Sequence, residues 1–242
     1  MSRILYIRKL VLYLCLLPTI LFGADWSATH ISYLYGQDYR NPANDNVNDN
    51  FSIYTLEHVS GWKYGDNFFF IDAAKTDTKN SDLYLEFAPR FSATKILGHK
   101  YEGYIQDILL ATQINIAQGA GKKELAGLGV DFKLPYFDMF QTNLYHRDDK
   151  DLNGSTYQLT FVWESNFKLF NQGFKFLGFL DIAGEEGSDG AKSEANTLAQ
   201  PQLLWMAYKN LGIGLEYQYW ENKYGINGLD ESLPQLLVRW TL

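Results

Sequence analysis

His30 and Ser32 are separated by one residue, so on an extended backbone both side chains point to the same side. An imidazole beside a hydroxyl is the pairing from which a nucleophile is made, and outer-membrane lipid hydrolases use a His-x-Ser arrangement of this kind. No third residue can be assigned to orient the imidazole, so a lipid hydrolase ranks behind the readings reached below. His30, His58, His99 and His146 lie far apart, with no HExxH spacing and no cysteine partner for a metal. The chain has no GxSxG, no Walker-type glycine loop and no GxGxxG. The sequence thus assigns no catalytic residue, no metal and no cofactor. What stands out instead is charge set inside apolar, alternating segments: Glu86, Arg90, Asp131 and Arg239. A charge in such a place needs water or a partner.

The elements that must carry those charges follow from composition and periodicity. With 16% aromatic residues in 242, the chain is not a disordered polymer. Past residue 22 no apolar run approaches the ~20 residues of a spanning helix. A formal charge of −7 argues against a nucleic-acid partner, since phosphate neutralisation needs clustered Lys and Arg. Residues 1–23 combine Arg3, Arg8 and Lys9 with a short apolar stretch interrupted at Pro18 and end at Gly23-Ala24. That is the pattern of a secretory signal peptide. The only cysteine, Cys15, lies within it, so residues 24–242, read as one domain, contain no thiol and no disulfide.

Period 2 recurs along the whole remaining chain. In 83–91, Leu83, Leu85, Phe87, Pro89 and Phe91 oppose Tyr84, Glu86, Ala88 and Arg90. Segments 107–117, 125–134, 211–220 and 234–242 alternate as clearly. Weaker runs lie near 28–36, 51–58, 67–73, 140–147, 155–163, 174–182 and 200–208, which makes twelve. A soluble sandwich would bury the apolar face. Strands of about ten residues with mid-strand charges opposite an apolar face fit better with a membrane barrel, greasy outside and polar inside. The expected fold is therefore all-β: a twelve-stranded antiparallel transmembrane β-barrel of the outer-membrane type.

The connections support this. Odd-numbered ones, such as 37–50, 148–154 and 183–199, are rich in Asn, Asp and Gly and hold most of the excess negative charge. Even-numbered ones include the brief LPYF and KN, although those around 61–67, 93–103 and 165–172 are longer. With both termini in the periplasm, the acidic connections form the outer rim. Trp26, Trp62, Trp163 and Trp240 then fall at periplasmic strand ends and Trp220 at an outer end, as an interfacial girdle requires; Trp205 reads as mid-strand. Alternation running to the last residue resembles the signal read by the barrel-insertion machinery, with Trp240-Thr241-Leu242 where a terminal Phe is usual.

The stretch from Thr55 to Phe70, TLEHVSGWKYGDNFFF, resembles the signature of the Tsx-type nucleoside-specific channels and their OmpK relatives. Leu85-Glu86-Phe87-Ala88-Pro89-Arg90-Phe91-Ser92 resembles their E-x-x-P-R-F-S strand, with weaker similarity at Gly127-Leu128-Gly129-Val130-Asp131 and Tyr219-Trp220. The resemblance implies a twelve-stranded barrel in the bacterial outer membrane, among lipid and lipopolysaccharide, that passes nucleosides and deoxynucleosides by facilitated diffusion. OmpK members also serve as phage receptors, so a non-conducting surface barrel is the alternative. A neutral, flat-based nucleoside calls for aromatic faces and hydrogen-bonding groups that bind weakly enough for release. Following the alternation, Glu57, Phe68, Phe70 and Asp72 should face the lumen. So should Tyr84, Glu86 and Arg90, and further round Asp131, Gln141, Asn143, Tyr145 and Arg147. An inward Glu86 or Arg90 could equally brace a narrow barrel. The acidic rim should disfavour anionic nucleotides by repulsion.

Overall fold

Alternating β-branched and aromatic residues favour extended chain, and here each extended segment pairs with its neighbours until the sheet closes on itself. The computed structural model describes residues 23–40, 48–76, 82–188 and 190–242. The expected signal peptide and the connections at 41–47 and 77–81 lie outside the described residues. The strands are β1 (Ala24–Arg40), β2 (Asn48–Trp62), β3 (Gly65–Thr76), β4 (Asp82–Ser92), β5 (Ile105–Ala117), β6 (Lys122–Phe132), β7 (Met139–Asp149), β8 (Thr156–Leu169) and β9 (Gln172–Ala183). After a short hairpin, β10 (Glu186–Ser188) and β11 (Ala191–Ser193), come β12 (Asn196–Ala199), β13 (Gln202–Tyr208), β14 (Leu211–Glu221) and β15 (Glu231–Thr241). Each barrel strand pairs antiparallel with the next, and β15 returns to β1, with Leu237 opposite Leu34.

β12 and β13 both pair with β9 and β14, so they are two halves of one strand, and the barrel has twelve. The break falls at Gln200–Pro201. Proline has no N–H for the ladder, and across the break Gly178 takes φ 152, where an added Cβ would lie 2.5 Å from the Gln200 carbonyl oxygen. Asn196–Ala199, expected to be loop, is therefore strand.

The start of β1 and the end of β15 sit at one rim, the terminal rim. Connections at that rim are shorter than the sequence suggested around 61–67 and 165–172, because β2 and β8 run on to Trp62 and Leu169. Lys63–Tyr64, Phe170–Asn171 and Lys209–Asn210 are two-residue turns. Phe170 and Asn171 take φ 50 and 62, the mirror-type turn whose twist matches that of paired strands. Residues 93–103 contain one helical turn, α1 (Ala93–Leu97), capped by the Ser92 hydroxyl accepting from the Lys95 N–H and ended by Gly98 at φ 70. The opposite rim carries the β10–β11 hairpin and a 3-10 turn, Lys223–Gly225.

Burial decides between sandwich and membrane barrel. Leu128 is 63% exposed and Leu215 55%, whereas Arg90 is 4% and Gln235 0% exposed. A soluble protein would not leave so continuous an apolar surface outside while enclosing its charges; a barrel in hydrocarbon must. Unbroken barrel strands are 11 to 17 residues long, enough for a tilted crossing.

Strand parity corrects the tryptophan assignments. Trp62, Trp163 and Trp240 face outward near the terminal rim, as expected. Trp26 pairs with Gly61 on the inner face, its indole lying against the glycine. Trp220 shares the inward parity of Glu216 and Gln218 and packs on Tyr224. Trp205 is not mid-strand: it faces outward in β13 near the terminal rim, donating to Gln172 Oε1 at 3.2 Å.

Candidate functional site

Directly paired residues share a face, and the pairs Glu57–Phe70, Phe70–Glu86, Asp72–Tyr84 and Asp131–Gln141 place the expected residues on the inner wall. All twelve lie there, but they do not converge on one point. They fall into three groups.

The first lines β2 to β5. Phe68 and Phe70 have ring centroids 5.8 Å apart, and Phe70 and Tyr84 5.7 Å, giving a tilted aromatic ladder that is half-buried and open to the lumen. Carboxylates flank it. Thr55 donates to Asp72 at 2.5 Å, and Tyr84 donates to Glu86 at 2.5 Å. Gln113 donates to the other Glu86 oxygen at 3.1 Å, and Glu57 meets the Arg239 guanidinium at 3.3 Å. This wall offers flat apolar faces beside hydrogen-bond acceptors.

The second group braces the terminal half. Arg90 makes paired hydrogen bonds to Asp66 (2.9 and 2.8 Å) and to Asp131 (2.7 and 3.1 Å). It stands opposite Ala111 and reaches diagonally across β5 to Asp131 on β6. Such doubly bidentate geometry fixes three strands to one cation. Gln141 stands in register with Asp131.

The third group lies on β7. Tyr145 is 2% exposed and packs with Ala111 and Leu125 across Gly127, filling space that the glycine leaves. Asn143 is buried. Arg147 points to the loop rim, 3.5 Å from Glu186 of the β10–β11 hairpin, and Glu186 also accepts from the Asp149 N–H at 2.8 Å. The base of the hairpin is thereby tied to β7.

The sequence reading missed other inward residues. Asp181 accepts from Thr160 at 2.5 Å, and Glu216 accepts from Gln202 at 2.5 Å and Gln235 at 3.0 Å. Leu34, Leu204 and Leu237 form an apolar inner wall with Ile53, Leu177 and Met206 around them. The parity of Glu216 was visible; that of Asp181 was masked because Leu177 and Phe179 are inward too.

His30 and Ser32 share the inner face but do not bond each other. The imidazole Nδ1 meets the Thr241 hydroxyl at 2.9 Å, and Arg239 Nε donates to Ser32 at 3.1 Å. The hydroxyl thus faces a cation instead of a base, the reverse of an activated nucleophile.

At the loop rim Lys223 is 2% exposed and donates to Glu231 Oε2 at 2.7 Å, with the rings of Tyr39, Trp220 and Tyr224 within 5.4 Å of its Nζ. Burial lowers its pKa below the ordinary lysine range, and Glu231 opposes the shift. Glu231 also accepts from the Arg40 N–H at 2.6 Å and from Gln218. Tyr39 donates to Gln235.

A closed antiparallel barrel with a greasy exterior and an ionised lumen defines an outer-membrane channel of the porin class. Among solved structures, the NanC porin superposes with a TM-score of 0.54 at 9% identity, over 88% of this chain and 98% of that one. The KdgM porin gives 0.52 at 9% identity, over 87% and 98%. No curated relative matches by sequence. Residues 24–238 match the family model of the nucleoside-specific channel-forming protein Tsx, and the chain belongs to that family.

Proposed function

We propose that the barrel is a passive, non-enzymatic channel for nucleosides, deoxynucleosides or similar small neutral solutes. The observation that carries this reading is the Phe68–Phe70–Tyr84 ladder with Glu57, Asp72 and Glu86 beside it. A base stacks on the rings, gaining ~1–3 kcal/mol, while ribose hydroxyls donate to the carboxylates. Contacts of that size hold a solute briefly and let it go. The family name supports the same solute class. Residues 1–23 act as the export signal, and the barrel-insertion machinery places the protein in the bacterial outer membrane, among lipid and lipopolysaccharide. The termini face the periplasm and the hairpin rim faces the medium.

Planar-bilayer conductance with and without adenosine tests the proposal. Current steps that adenosine blocks, together with faster liposome swelling in adenosine than in a sugar of equal size, are expected. Equal swelling rates would remove the selectivity. The inward Leu34, Leu204 and Leu237 favour one rival, a barrel plugged by its own side chains that serves as a surface receptor, for phage among others; such a barrel gives no current steps.

A further inference from the structure

The lumen does not balance its charges locally. Its guanidinium groups are each engaged: Arg90 by Asp66 and Asp131, Arg239 by Glu57, Arg147 by Glu186 and Asp149. Lys123 meets Asp149, and Lys175 meets Glu164. Near the terminal rim Asp107 has only the Ser92 hydroxyl and two backbone N–H groups, and deeper in the lumen four more carboxylates have neutral hydrogen-bond donors only among the described residues. Asp72 has Thr55, Glu86 has Tyr84 and Gln113, Asp181 has Thr160, and Glu216 has Gln202 and Gln235.

Asp72 and Glu86 sit on adjacent strands, with Tyr84 between them. Asp181 on β9 stands across the barrel from Glu86 on β4, and Glu216 on β14 lies four strands from Asp72 on β3. Together they occupy four strands spaced around the circumference of the lumen. A second observation points the same way. Gln202 spends its N–H on Glu216 and leaves its own Oε1 buried without a donor. Asn143, 3% exposed and in register with Thr160, leaves its Oδ1 without one too. Both oxygens are acceptors open to a donor-bearing solute, beside carboxylates whose nearest cations stand beyond hydrogen-bond reach.

We infer that the carboxylate ring of Asp72, Glu86, Asp181 and Glu216 is a charge filter that makes this channel select cations, and cationic or donor-rich solutes, over anions. Rings of Asp and Glu act in this way wherever a pore narrows enough for an ion to feel them directly. The inference rests on the barrel being a conducting channel and deepens that reading by naming the charge class it admits.

The test is the reversal potential of the full chain in planar bilayers under a potassium chloride gradient. Potassium should be favoured over chloride on the order of tenfold. Glu86→Gln combined with Asp181→Asn, and separately Glu216→Gln, should bring the ratio toward unity, each variant being checked for its heat-modifiable gel shift. Glu185→Gln, on the exposed hairpin loop, should leave the ratio as it is. Wild-type reversal at zero or on the chloride side, or an unchanged ratio in the folded double variant, would overturn the filter. Adenosine block combined with chloride preference would sink the filter alone, whereas the absence of current steps would sink the channel reading and the filter with it.

Discussion

Arg90 on β4 and Asp131 on β6 are held 2.7 Å apart across the width of the intervening strand, and the same guanidinium holds Asp66 on β3. One cation is therefore shared by two inward carboxylates. Replacing it with an apolar residue of similar reach, Arg90→Met, leaves both anions unpaired. Removing one partner from a buried ion pair costs about 3–5 kcal/mol. The temperature at which the folded band disappears in the heat-modifiable gel shift should drop markedly, and an unchanged transition would show the clamp to be dispensable.

Phe70 is the middle rung of the aromatic ladder, in contact with both Phe68 and Tyr84. Phe70→Ala should weaken block by adenosine about tenfold, the lower part of the range for losing one stacking platform. Unblocked conductance should persist. Adenosine block of wild-type strength in this variant would remove the ladder from the binding surface.

Gly127 is fixed by close approach. A Cβ there would lie 1.9 Å from the Leu144 carbonyl oxygen of β7, which cannot move without breaking the ladder. Gly127→Ala should destabilise the barrel by about 1–3 kcal/mol, in the range for overpacking. Gly173→Ala is the matched control, since its Cβ meets only Met206 at 3.5 Å. The two variants should separate clearly in thermal midpoint, and equal midpoints would show that the β6–β7 spacing is softer than described.

Lys223 closes the loop rim. Lys223→Met leaves Glu231 with only the Gln218 and Arg40 donors, so protease cleavage within 222–230 should rise in the folded barrel while the heat-modifiable shift remains. The pH dependence has a definite sign. Burial lowers this lysine's pKa in the folded state, so the unfolded loop binds the proton more tightly. Rim stability should therefore increase as pH rises through the interval between the lowered value and the ordinary 10.5. Hydrogen-exchange protection at 222–230, corrected for intrinsic exchange, should follow that rise, and a fall would reverse the assignment.

Most of this architecture was legible because ionised residues on a period of two leave little choice of face. Glu86 and Arg90, with Leu85, Phe87 and Pro89 on the opposite face, could not be arranged otherwise in hydrocarbon. Legibility failed where both faces are apolar. Leu237 lies between Leu236 and Val238, and Leu204 follows Leu203, so alternation cannot tell the inner wall from the outer one. Trp220 was misplaced because amphipathic aromatics at strand ends suggest a girdle, although its parity with Glu216 and Gln218 pointed inward. The pairing of Arg90 with Asp131 depends on contacts 41 residues apart, which one-dimensional spacing does not reveal.

The missing rung at Pro201 also gives the molecule a mechanical history. When a barrel is pulled out of a bilayer by its end, each strand yields according to how many bonds shear at once. Eleven strands resist as single continuous runs, while the tenth offers a four-residue piece and a seven-residue piece on either side of the gap. An atomic-force tip extracting the chain should record two small ruptures there, where every neighbour gives one large one.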